Sequence, residues 1–261
     1  MSKPLTYISY LKVDELLQLQ QPQSTPVEHD EMLFITIHQV YELWFKQLLH
    51  EVDYLMHSLR QKKTVAAQHT LSRMRTILKT IVAQIDVLET MTPLEFNSFR
   101  SFLASASGFQ SIQFRELEFV LGHKRKALLN HFPPQTFHRN ELERRYMQPS
   151  LWDAFLHYLA ANGYDVPAAQ LERDVTQGVT ASPEVQAILI EVYRTDDTVR
   201  SLCEHLLDFD EGLQEWRYRH VKMVQRTIGM KPGTGGSPGV KYLESTIMPV
   251  FPDLWAIRSE L

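Results

Sequence analysis

Cysteine is almost missing, with Cys203 the single thiol in a chain of 261 residues. One thiol excludes an intramolecular disulfide, a thiolate metal cluster and the Cys-x-x-Cys-His pattern of covalent haem attachment, and it suits a reducing cytoplasm. An excess of charge is missing too, since 27 Lys and Arg stand against 31 Asp and Glu for a formal net charge of −4. That balance offers no basic footprint for nucleic acid and no acidic tail, so no nucleic-acid partner is expected. No stretch approaches the roughly 18 uncharged apolar residues of a membrane span. The start MSKPLTYISYLKVDELL is interrupted at Pro4 and Lys12 before an apolar run could act as a signal peptide. The expectation is a cytoplasmic chain, neither exported nor inserted in a membrane. Glycine is scarce at 10 residues, yet Gly233, Gly235, Gly236 and Gly239 crowd into one heptapeptide.

With 44% hydrophobic and 22% charged residues, the chain is long enough to bury a real core and is expected to form one domain over 1–261. Apolar residues recur at helical spacing almost throughout and no convincing strand alternation is present, so the fold class is all-α. Thr25-Pro26-Val27-Glu28 reads as a capping box that opens a helix over 27–60. Thr92-Pro93-Leu94-Glu95 and the weaker Ser182-Pro183-Glu184 open helices over 93–104 and 183–194. Periodic segments also lie at 64–90, 110–129, 138–145, 150–162, 197–229 and 247–259. His131 to Pro134, Asn162 to Ala181 and the glycine-rich Met230 to Gly239 are connectors.

Two helical rows carry an imidazole each. Phe34, His38, Tyr41, Phe45 and Leu49 share one face, and Phe209, Leu213, Trp216, His220 and Val224 share another. Each histidine is expected to face inward. Either could be a hydrogen-bonded structural residue, and the pair could instead flank a flat cofactor such as haem. Arg100 shares a row with Phe96 and Leu103; its guanidinium suits a carboxylate, or it snorkels at the surface. The heptapeptide Gly233 to Gly239 could wrap a polar ligand group or be a flexible loop. It is not a P-loop, because no Gly-Lys-Ser/Thr follows, and it follows a helix where a dinucleotide fingerprint follows a strand. A carboxylate-bridged di-iron centre would need Glu-x-x-His, and a zincin would need His-Glu-x-x-His; neither occurs. Histidine-ligated haem remains open, as does no cofactor at all.

The segments HDEMLFITIHQVYELWFKQ (29–47), TPLEFNSFR (92–100), ASGFQSIQFRELE (106–118), WRYRHVKMVQRTIG (216–229) and KPGTGGSPG (231–239) closely resemble the tryptophan 2,3-dioxygenase family. LTYISYL (5–11) and FPDLWAIRSEL (251–261) do so as well, in collinear order along nearly the whole chain. The resemblance implies a helical homotetramer binding non-covalent haem b, ferrous when active, that converts L-tryptophan and O2 to N-formyl-L-kynurenine. This is the first step of tryptophan degradation by the kynurenine pathway, and both oxygen atoms enter the product.

Carried over residue by residue, the resemblance implies that His220 is the axial iron ligand and His38 the distal histidine near the indole N–H. Phe34 would pack on the indole, Arg100 would pair with the substrate carboxylate, and Thr234 would help hold the ammonium with a haem propionate. Ser107 and Gly108 would line the distal side. The N-terminal segment 1–24 would pack on a neighbouring subunit, so that Tyr7, Tyr10 and Leu11 complete an adjacent site. Some bacterial members carry Tyr where this chain has Phe96, which implies altered affinity more than altered chemistry. Two readings compete: a haem enzyme for another indole, and a non-catalytic haem- or tryptophan-binding module.

Overall fold

The computed structural model describes residues 4–234 and 239–261, so Gly235 and Gly236 of the glycine-rich heptapeptide lie outside the described residues. Helices joined by connectors make up the described residues, with no strand among them. Two short helices, α1 (Tyr7–Leu11) and α2 (Val13–Leu16), precede the long α3 (His29–Arg60). Next come α4 (Thr64–Leu88), α5 (Pro93–Arg100), α6 (Ile112–Val120), α7 (Phe137–Tyr146) and α8 (Leu151–Ala161). The short α9 (Ala168–Leu171) leads to α10 (Pro183–Thr195) and the second long helix, α11 (Asp197–Ile228). The last two are α12 (Val240–Glu244) and α13 (Pro252–Ala256).

The core forms where α4 packs against both long helices. Leu48, Val52 and Leu55 of α3, Leu71, Met74 and Leu78 of α4, and Leu202, Leu206 and Phe209 of α11 are all buried at helical spacing. Non-polar surface removed from water in this way is the main favourable contribution to folding. A smaller cluster of Phe119, Leu128, Leu129, Leu142 and Tyr146 secures α6 to α7. No helix is long and apolar enough to cross a membrane among the described residues.

Local chemistry sets the helix boundaries. The capping box at α5 is present in both directions, with the Glu95 carboxylate accepting from the Thr92 N–H at 2.6 Å and the Thr92 hydroxyl accepting from the Glu95 N–H. The box expected at Thr25 is not formed. α3 begins later, after Glu28, whose N–H donates to the Ser24 hydroxyl at 2.9 Å. The buried Glu31 reaches back from the first turn and accepts from the N–H groups of Gln23 (2.7 Å) and Ser24 (2.9 Å).

The helix expected over 110–129 divides because Gly122 takes φ 103°, a left-handed conformation open to glycine. α5 stops at Arg100 and passes through a single 3₁₀ turn to Ala104 at φ 49°. Four short helices, α1, α2, α9 and α12, had not been expected; at four or five residues each they are too brief to show a period.

Candidate active site

α3 offers the cavity the face Phe34, His38, Tyr41 and Phe45. The His38 Nδ1–H donates to the Phe34 carbonyl at 2.7 Å, one helical turn back. A carbonyl can only accept, so this bond fixes the tautomer and leaves the lone pair on Nε2. Burial lowers the pKa of His38, and the Phe34 carbonyl and Glu42 offset this only in part, so the ring is neutral at pH 7. The Phe34 and His38 rings lie 4.1 Å apart, and Phe34 packs in turn on Phe96 at 5.8 Å and Phe99 at 5.5 Å.

Across the cavity, α11 presents His220. Its ring lies nearly parallel to that of Trp216, at 5.4 Å and 14°, and Trp216 is wedged against Phe45 and Phe114. Burial, with smaller contributions from His38, Arg217 and Arg115, pushes the His220 pKa down to about 4, so this imidazole is neutral as well. Both residues are half-buried and line the cavity.

α5 brings in Arg100, half-buried at the cavity wall. Its Nη2–H donates to the Pro232 carbonyl at 2.7 Å, and no carboxylate pairs with it among the described residues. The Thr234 hydroxyl donates to the Ala106 carbonyl at 2.6 Å. These two bonds tie the segment after α11 to the end of α5 and to the connector between α5 and α6. In that connector, Ser107 accepts from the Phe109 N–H, and a Cβ placed on Gly108 would meet nothing within 4 Å.

A single cavity of about 260 Å³ therefore joins Phe34, His38, Phe96 and Arg100 to Ser107, Gly108, His220 and Thr234. Tyr7, Tyr10 and Leu11 are not brought to it, and are 76%, 72% and 46% exposed on α1. Sequence reasoning missed a buried ionic cluster in the wall. Arg115, Arg125 and Arg217 all reach the carboxylate of Glu118. Burial raises the Glu118 pKa, but Arg115, Arg217 and Arg125 outweigh it and hold the carboxyl below its ordinary value. The available signal was Arg115 and Glu118 at one-turn spacing, with Arg217 one turn before His220.

The donor set bears on which prosthetic group fits. No group of three or more His, Cys, Asp or Glu is placed to hold a bare metal ion among the described residues. A neutral histidine in an aromatic-walled cavity suits a metal whose other ligands come from a flat macrocycle, which is the arrangement in histidine-ligated haem. The orphaned Arg217 Nε at the wall, buried without a hydrogen-bond partner, fits a group that also carries acidic substituents.

Comparison with known proteins agrees with this chemistry. The sequence model described as tryptophan 2,3-dioxygenase matches residues 1–148 and 137–261. A tryptophan 2,3-dioxygenase of Herpetosiphon aurantiacus is 66% identical over 261 residues, covering 100% of both chains. One from Anaeromyxobacter dehalogenans is 52% identical over 100% of this chain and 97% of its own. One from an Arthrobacter species is 42% identical over 100% of this chain and 93% of its own. The chain belongs to the tryptophan 2,3-dioxygenase family.

Proposed function

We propose that this cavity converts L-tryptophan and O2 to N-formyl-L-kynurenine, on a non-covalent haem b that is ferrous in the active state. The family is haem-dependent. The observation that carries the reading is the unpaired Arg100 guanidinium in a cavity flanked by two neutral histidines on separate helices. Bound haem supplies the activation of O2, and the protein supplies binding, orientation and dryness.

His220 would hold the iron of the haem; burial keeps its imidazole neutral, the form that coordinates a metal. Arg100 takes the substrate carboxylate, with a planar fork of donors that matches it. Thr234 holds the ammonium end. Together they select a zwitterionic amino acid and convert a loose encounter into a near-attack geometry. The rings of Phe34 and Phe96 form an apolar face for the indole. His38 Nε2 carries the free lone pair that can accept the indole N–H and orient the ring. Ser107 and Gly108 line the same cavity, with open space beside Gly108. An indole without an amino-acid end would leave Arg100 unpaired, which disfavours the alternative-indole reading.

The assembled enzyme is a homotetramer in which α1 of one subunit covers the cavity of another with Tyr7, Tyr10 and Leu11. The exposure of all three supports this, because such a concentration of apolar surface on one short helix calls for a cover. The test is absorbance at the N-formylkynurenine band when L-tryptophan and O2 meet ascorbate-reduced, haem-loaded protein, with His220→Ala alongside. Product from the unaltered protein and none from a haem-poor variant is expected. Bound haem without product would remove the dioxygenase reading.

A further inference from the structure

The two cavity histidines are held in different ways. His38 is fixed by the hydrogen bond that its Nδ1–H gives the Phe34 carbonyl. His220 makes no hydrogen bond to the protein among the described residues, and its ring lies instead on the indole face of Trp216, one turn earlier on α11, with centroids 5.4 Å apart and planes 14° from parallel. Trp216 is itself immobilised. It is 7% exposed; Phe45 meets it edge-on at 5.8 Å and 85°, and Phe114 of α6 and Tyr41 of α3 close on it at 5.1 Å and 6.2 Å. Tyr41 cannot turn away, because its hydroxyl donates to the Ile81 carbonyl of α4 at 2.8 Å. Residues of α3, α4, α6 and α11 therefore all bear on the plane of one indole. The Trp216 Nε1–H is buried there without a partner, a cost that phenylalanine would not carry. What an indole adds at this position is the breadth of its face.

We propose that Trp216 is the positioning residue for His220, its indole face setting the plane in which the imidazole meets the metal. The inference rests on the haem reading above. A histidine bound to a metal through one nitrogen can still turn about that bond, and something in the protein must choose the plane; a hydrogen bond from the other ring nitrogen is the usual device. Here a stacked aromatic surface takes that part, and an imidazole that turned out of plane would lose its contact with Trp216. The plane matters because it decides how the π orbital of the ring overlaps those of the iron, and so how the metal levels are spaced. Because Trp216 and His220 stand four residues apart on one helix, the stack is built into α11 and is present before any cofactor arrives.

The probe is azide, added to the ferric, haem-loaded, full-length protein to make the iron low-spin, so that its electron paramagnetic resonance g values report the imidazole plane. The unaltered protein should give one narrow set. Trp216→Leu removes the stacking face and should broaden or split that set and shift its low-field line, whereas Trp216→Phe, which keeps an aromatic face, should restore it. A merely structural tryptophan would lower the melting temperature in both variants and leave the g values where they were. Unchanged g values in Trp216→Leu would overturn the proposal. If Trp216→Leu fails to fold or to load haem, His220→Gly decides, with free imidazole in the vacated space and azide opposite, because that ligand has no tether to α11. Its g values should coincide with those of the unaltered protein if Trp216 sets the plane, and a broad spread would overturn the proposal. Failure of the haem reading itself would look different, because the Soret spectrum of the unaltered protein would then not depend on His220.

Discussion

Arg100 sits at the end of a short helix with aromatic rings on one side and a single carbonyl, that of Pro232, on the other. A guanidinium so placed has donors to spare and no carboxylate partner among the described residues. Arg100→Ala should therefore raise KM for L-tryptophan by roughly 30-fold, about 2 kcal/mol, because the substrate carboxylate loses its buried counter-charge. Steady-state kinetics decide it, and an unchanged KM would reject the assignment. Much of this site could be read in the sequence: His38 and His220 each fall in an apolar helical row, and Arg100 shares its row with Phe96. Pattern could not place Arg217 beside Glu118, because the two are on different helices and nothing in a linear period records a pairing across the fold. The distinction between a snorkelling and a cavity-facing Arg100 also depends on Pro232, which belongs to a distant connector.

At the scale of the element, helix ends follow side-chain chemistry more than apolar spacing. The Thr92 box opens α5 as its sequence requires, whereas the Thr25 box is superseded by Glu31, which satisfies donors ahead of its own helix. Burial works to raise the Glu31 pKa, and the hydrogen bonds from the Ser24 hydroxyl and the Gln23 and Ser24 N–H groups lower it further than burial raises it. A carboxyl with a lowered folded-state pKa contributes stability above its unfolded pKa, and that contribution fades as pH falls through the folded value. Glu31→Gln should therefore destabilise the protein by about 1.5–3 kcal/mol at neutral pH. The difference should shrink in acid, where the wild-type carboxyl is protonated too. Denaturant melts at pH 7 and below pH 4 check this, and a pH-independent difference would assign the role to packing. The long helices were legible because more than twenty residues repeat one period; the division at Gly122 was not, since one left-handed glycine leaves that period intact on either side.

At the scale of the molecule, α11 links several functions. Asp210 Oδ2 accepts from the N–H groups of Val250 and Phe251 and from the Trp255 indole, all at 2.9 Å, which pins the C-terminal segment to the helix that also carries Arg217 and His220. α1, by contrast, buries none of its residues against its own chain. If α1 serves a neighbour's cavity, two defective chains should repair each other. Co-expression of His220→Ala with Tyr7→Ala/Tyr10→Ala should yield hybrid assemblies more active than either parent, since one supplies intact N-terminal helices and the other an intact cavity. Absence of recovery in verified hybrids would place the N-terminal segment outside the site.

The pair of bonds that straps the segment after α11 to the end of α5 and the α5–α6 connector has a consequence for turnover. Arg100 and Thr234 are already engaged, with Pro232 and Ala106 as placeholders. If Arg100 and Thr234 hold the amino-acid end as proposed, substrate is admitted by exchange: each group releases a carbonyl as it takes up a charged end. Affinity is then the difference between two sets of contacts, and the departing product meets carbonyls ready to reclaim both donors, so a grip selective for the amino acid need not become a trap.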